Sequence, residues 1–188
     1  MRRLTAEKFS LFFFLLLLFV FSYSVLAAGK SIRRNKPCNR LVLHLHEIIR
    51  QGNYTFPNAT SAAVTKRVPG LGSFQFGEMY VFDNLVTRDA NPHSPQAARA
   101  RGFYVYDGKD SGNDLYMITL SFNSTEYTGT LTILGTNNHS LKTRDLPVVG
   151  GTGDFFMARG VTTLEVDVID FTTSYFRLKM DIKLYECY

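Results

Sequence analysis

Phe176-Arg177-Leu178-Lys179-Met180-Asp181-Ile182-Lys183-Leu184-Tyr185 places an apolar residue at every second position, with a charged or polar residue after each. A period of two marks an extended strand with one buried and one wet face, because successive side chains leave a pleated backbone on opposite sides. Wound as a helix, the same five apolar groups would be scattered around its circumference. The segment is a strand, and a strand of this kind needs a sheet to lie in.

Leu41 to Ile48 repeats the pattern near the other end of the chain. Leu41, Leu43, Leu45 and Glu47 share one side, and Val42, His44 and His46 the other. Between these two lie Glu78 to Asn84, Gly102 to Asp107, Asp114 to Ser124, Gly129 to Gly135 and Phe155 to Ile169, the last interrupted at Gly160. Gly, Asn, Asp and Pro separate the segments. Ser61 to Lys66 and Ala97 to Arg101 read as helical turns. Gly150-Gly151-Thr152-Gly153-Asp154 reads as a tight turn, since it lacks the Gly-Lys-Ser/Thr of a phosphate loop. With seven or eight short strands and no long helical period, the fold is predicted to be all-β, an antiparallel sandwich or closed barrel. The closed form with about eight strands is the preferred reading, and a barrel of that size can enclose one small ligand.

Composition agrees. Among 188 residues, sixteen Phe and ten Tyr favour strands, and 45% hydrophobic content suits one domain with its own core. A chain of this length buries roughly 70% of its unfolded surface, so it needs no metal to fold. The formal charge of +5 is partly a property of the start, where Arg2, Arg3 and Lys8 outweigh Glu7. The remaining basic residues are scattered apart from Arg33, Arg34 and Lys36, which excludes the basic stripe of a nucleic-acid-binding surface.

Residues 1–27 combine a basic start, an apolar run from Leu11 to Phe21 and small residues before Ala27. That run is about half the ~20 residues a membrane helix needs, so it is read as a signal peptide. Residues 28–188 then form a single exported domain with no membrane span. In an oxidising compartment the simplest arrangement pairs Cys38 with Cys187, which would stabilise the chain by roughly 4–5 kcal/mol through loop closure. Two free thiols are the alternative. Asn53, Asn58, Asn123 and Asn138 each begin an Asn-x-Ser/Thr sequon, an excess that suits a secreted glycoprotein.

Few residues carry an obvious chemistry. Glu47 falls on the leucine face of its strand, where burial would raise its pKa towards a general-acid role; the alternative is a strand end emerging into solvent. Tyr104 and Tyr106 share a face and suit a wall that hydrogen-bonds an oxygenated aromatic ligand, or are ordinary amphipathic wall residues. Arg144 is either a buried cation for a phenolate or a turn residue paired with Asp145. His44 and His46 lack a third ligand spacing, so no metal site is expected. The sequence has no nucleophile signature and no haem or copper ligand set, and no cofactor is expected.

The chain resembles the plant dirigent proteins across essentially all of the exported part. The similarity rests on Lys36-Pro37-Cys38, His46-Glu47-Ile48, Asn58-Ala59-Thr60-Ser61-Ala62-Ala63, Ala98-Arg99-Ala100-Arg101-Gly102-Phe103-Tyr104, Phe122-Asn123-Ser124-Thr125 and Thr143-Arg144-Asp145-Leu146. Val149 to Gly160, Tyr175-Phe176-Arg177 and Glu186-Cys187-Tyr188 complete it. The resemblance implies an eight-stranded antiparallel barrel, a Cys38–Cys187 bridge, secretion to the apoplast and assembly as a homo-oligomer, a trimer or a dimer. It implies a non-oxidative role: phenoxyl radicals, typically from coniferyl alcohol, are made by a separate laccase or peroxidase and coupled stereoselectively into a lignan. An enzymatic alternative within the family is dehydrative cyclisation of an isoflavanol to a pterocarpan through a quinone methide. A third reading is a phenolic-binding defence protein.

By the same resemblance, Tyr104, Tyr106, Arg144 and Phe176 occupy substrate-pocket positions. Two aspartates that assist cyclisation in the lignan-forming branch correspond to Glu47 and Asn137, and a Thr is replaced by Val166. Glu47 keeps a carboxyl group one methylene further out, whereas the amide of Asn137 exchanges no proton near neutral pH.

Overall fold

The computed structural model describes residues 36–50, 58–72 and 75–187. The expected signal peptide and the sequon at Asn53 lie outside the described residues. The strands are β1 (Asn39–Arg50), β2 (Ser61–Ala63), β3 (Met79–Thr87), β4 (Gln96–Val105), β5 (Asp114–Asn123), β6 (Thr128–Asn137), β7 (Thr143–Gly153), β8 (Arg159–Asp170) and β9 (Tyr175–Glu186). They close into a barrel. Eight long strands make an antiparallel ring that closes where β1 meets β9, Asn39 opposite Leu184 through Ile48 opposite Tyr175. On its other side β1 pairs with β3 over only three residues, His44 to His46. Beyond that point the two strands part, and the short β2 fills the gap, parallel to β1 and antiparallel to β3.

Alternation explains the core. Leu41, Leu43 and Leu45 of β1 meet Leu178, Met180, Ile182 and Leu184 of β9 inside the barrel, all at most 7% exposed. Ile118, Leu120, Leu131, Ile133, Leu146 and Leu164 complete an aliphatic interior. The far end is closed by Phe122, Tyr127 and Phe155, whose ring centroids lie 4.8–6.2 Å apart. Cys38 and Cys187 are disulfide-bonded at this end, with 6.2 Å between their Cα atoms, and tie the start of β1 to the end of β9.

Four local expectations are corrected. Ala97 to Arg101 is not a helical turn but the first half of β4. Ala98 and Ala100 fill narrow interior positions, and Arg99 and Arg101 reach outward to Asp83 on β3. Ser61 to Ala63 is likewise a strand, held between β1 and β3 rather than by local hydrogen bonds. Gly150 to Gly153 is the end of β7 rather than a turn, and the turn falls at residues 154–157. A bulge, where Thr132 pairs with Gly150 and Ile133 with Val148, shifts the register there. Gly160 does not interrupt β8; it lies just inside it, beside a register shift against β9.

Gly102 shows how closely the wall is packed. A Cβ at this position would sit 1.9 Å from the Met117 carbonyl oxygen and 2.9 Å from the Phe82 ring. Gly102→Ala is expected to lower stability by about 3 kcal/mol, the upper part of the range for overpacked cores. Gly150→Ala, where no atom lies within 4 Å of the new methyl group, serves as the control. Urea unfolding midpoints compare the two, and equal midpoints would contradict the packing described.

Candidate functional site

The interior changes character along the barrel axis. At the end where β1, β4, β6 and β8 finish, aliphatic residues give way to acids, amides and phenols around a cavity of about 250 Å³. All six residues singled out from the sequence line it: Glu47, Tyr104, Tyr106, Asn137, Arg144 and Phe176. An outer recess of about 500 Å³ lies between Arg50, Ala59 to Ala62 and Val81 to Asp83. It has no comparable grouping of acid and phenol.

Glu47 is buried, 5% exposed. The strand-end alternative is excluded because β9 covers one flank of β1, pairing Glu47 with Phe176, while β2 begins beside it. Burial raises the carboxyl pKa to about 7, and the charge of Asp114 adds to the rise. Ser61, whose effect exceeds that of Asp114, and to a smaller extent Asn84, both close by and buried, oppose the rise without cancelling it. Neither closes a hydrogen bond of normal geometry, and Glu47 Oε1, Ser61 Oγ and both amide atoms of Asn84 are without partners. A carboxyl group in this setting carries its proton through the mildly acidic range and has a free oxygen to present.

Four tyrosines form the adjoining wall. Tyr104 stacks on Tyr80 at 4.8 Å and meets Tyr106 and Tyr116 edge-on at 6.0 and 5.6 Å. Desolvation raises the pKa of Tyr104, Tyr106 and Tyr116, and that of Tyr80 to about 12. All four remain neutral phenols able to donate hydrogen bonds. Arg144 is not a turn residue. It is the second residue of β7, 6% exposed, and its Nε donates to Asn137 Oδ1 at 2.7 Å. Asp145 points the other way and accepts from Thr163.

Asp114 and His139 were missed in the sequence. Asp114, at the head of β5, pairs directly with Asn137 of β6 and is 1% exposed. Its Oδ2 accepts from Asn137 Nδ2 at 3.2 Å and lies 2.5 Å from His139 Nε2. The alternation Asp114, Tyr116, Ile118, Leu120, Phe122 was a usable signal, since it puts the aspartate on the buried face. At the mouth, Phe176 meets Phe171 edge-on at 6.1 Å, and Ile169 and Phe171 are exposed. Val166 lies on the cavity wall.

His44 and His46 face outward from the barrel. His46 is held between the Tyr175 hydroxyl and Thr87 Oγ1, each at 2.7 Å, and His44 lies 3.8 Å from Asp167. Among the described residues, no group of three His, Cys, Asp or Glu is arranged to hold a metal ion.

A closed eight-stranded ring thus surrounds a phenol-lined cavity that carries the buried acid Glu47. The chain belongs to the dirigent family, whose profile, described as Dirigent-like protein, matches residues 38–185. It is 50% identical to Dirigent protein 5 of Arabidopsis thaliana over 178 residues, covering 94% of this chain and 96% of that relative. It is 42% identical to a dirigent protein of Sinopodophyllum hexandrum over 192 residues, covering 97% and 98% of the two. Among solved structures, a pterocarpan synthase dirigent protein superposes with a TM-score of 0.69 at 25% identity, covering 83% of this chain and 99% of that one. A second pterocarpan synthase dirigent protein gives 0.70 at 24% identity, covering 80% and 90%.

Proposed function

We propose that this protein directs the stereoselective coupling of phenoxyl radicals, such as those of coniferyl alcohol, that a separate laccase or peroxidase generates. The observation that carries the reading is the cavity itself: four neutral phenols, the buried Arg144 guanidinium and the protonated Glu47 converge on one space. Radical coupling is fast and downhill without help, so the protein contributes orientation. A difference of ~1.4 kcal/mol between the two approach faces gives tenfold selectivity. An engineered apolar cavity of ~150 Å³ holds one benzene. One of about 250 Å³ therefore holds a single substituted ring, with the second radical meeting it at the lip formed by Ile169, Phe171 and Phe176. Glu47 then donates a proton to the quinone-methide oxygen as the coupled product closes its ring.

The proposal includes export to the apoplast, glycosylation at the exposed Asn58 and Asn123 and at Asn138 and Asn53, and assembly as a trimer or dimer. The test combines the protein with coniferyl alcohol and a laccase and separates the products on a chiral column. Enantiomeric excess that rises with protein concentration and needs the oxidase is the expected result. Racemic product across a panel of monolignols and other phenols would overturn it. A second reading is favoured by the pterocarpan synthase likeness and by an acid whose pKa is about 7: dehydrative cyclisation of an isoflavanol, which yields product with no oxidase present. Tight phenol binding with no change in any product distribution would point instead to a defence-related binding role.

A further inference from the structure

Ring closure of a quinone methide moves two protons. The attacking side-chain hydroxyl forms the new carbon–oxygen bond and loses its proton, while the quinone-methide oxygen gains one and becomes a phenol. The change is an isomerisation that needs no oxidant, but it does need a base as well as the acid at Glu47. Asn137 cannot be that base, since an amide exchanges no proton near neutral pH.

We propose that Asp114, connected to solvent through His139, is a second catalytic residue and takes the hydroxyl proton. This rests on the quinone-methide chemistry proposed above. Asp114 is 1% exposed and lines the same cavity as Glu47, and its Oδ1 is buried without a hydrogen-bond partner. Its other oxygen is held by the Asn137 amide at 3.2 Å and by His139 Nε2 at 2.5 Å. The amide is itself fixed by Arg144. His139 stacks on Tyr106 with 6.1 Å between ring centroids, and 44% of its side chain is open to solvent, so it can carry the abstracted proton out. The groups facing Asp114 are therefore Arg144 on β7, Tyr116 on its own strand, Tyr106 after β4, His139 after β6 and Glu47 across the cavity.

The cross-strand pairing of Asp114 with Asn137 supplies the test. Asp114→Asn is expected to lower the yield of the single cyclised enantiomer at least tenfold, with oxidised monomer still consumed at the wild-type rate. The double variant Asp114→Asn with Asn137→Asp returns the carboxyl group to the same corner from the neighbouring strand and keeps the total charge. It should recover to within about threefold of wild type. Full yield of the single cyclised enantiomer in folded Asp114→Asn would overturn the proposal. Where the single variant does not fold, the swapped pair decides: a folded swapped protein that gives no cyclised product would overturn it equally. A wild-type protein that leaves every product racemic would overturn the coupling reading first, an outcome distinct from selective wild type with an indifferent Asp114.

Discussion

Glu47→Gln is expected to make the protein more stable at alkaline pH and much poorer at ring closure. Glutamine keeps the shape of the side chain and removes its titration. In the folded protein the carboxyl pKa is about 7 against an ordinary value of 4.5, so the native state holds this proton where the unfolded chain has released it. The stabilising difference is fully present below pH 4.5 and is lost as pH rises through 7. A shift of this size corresponds to about 3 kcal/mol, or roughly 6–12 °C in melting temperature for a domain of this length. The variant should match wild type near pH 4 and exceed it by that amount above pH 8. Thermal melts of both proteins across pH 4–9 check the difference, and parallel curves would mean that Glu47 is not held as described. The same substitution removes the proton donor, so the cyclised fraction should fall by a factor of about 100 or more, as general acids commonly contribute.

Loss of the Cys38–Cys187 bridge is the largest stability effect expected. The bonded residues are 149 positions apart, and closing a loop of that size contributes about 5 kcal/mol in the chain-entropy model. Reduction, or paired substitution to alanine, should lower the melting temperature by roughly 10–20 °C. The cavity lies at the opposite end of the barrel, and the β1–β9 ladder from Asn39 to Ile48 still closes the ring. Selectivity measured well below the new melting point should therefore survive. A reduced protein that melts with the oxidised one would contradict the expectation.

The sequence made some of this legible for a clear physical reason. β1 and β9 alternate because one face is buried and the other wet, so their inward residues, Glu47 and Phe176 included, could be listed without coordinates. β7 was not legible. It contains Pro147 and three glycines, residues that weaken a strand in isolation and are tolerated here by a bulge and by close backbone approach: a Cβ at Gly151 would meet the Phe155 and Thr130 carbonyl oxygens at 2.4 and 2.6 Å. The start of β4, Ala-Arg-Ala-Arg, has little intrinsic preference for a strand; its pairing with β3 and β5 decides its conformation. Whether Glu47 is buried depended on β2, three residues that join the sheet only through β1 and β3. For Asp114 the alternation of β5 shows the buried face, but its partner Asn137, 23 residues away, depends on cross-strand register, which no local pattern reports.

The aromatic plug of Phe122, Tyr127 and Phe155 makes the barrel a dead end. Among the described residues Phe176 stands at the mouth of the cavity that holds Glu47, so in the coupling role proposed above two guests would enter in sequence, the deeper one first, and leave in the reverse order. In the coupling role proposed above, a dimeric product would leave by the mouth at which its two halves entered and would block that mouth until it had gone.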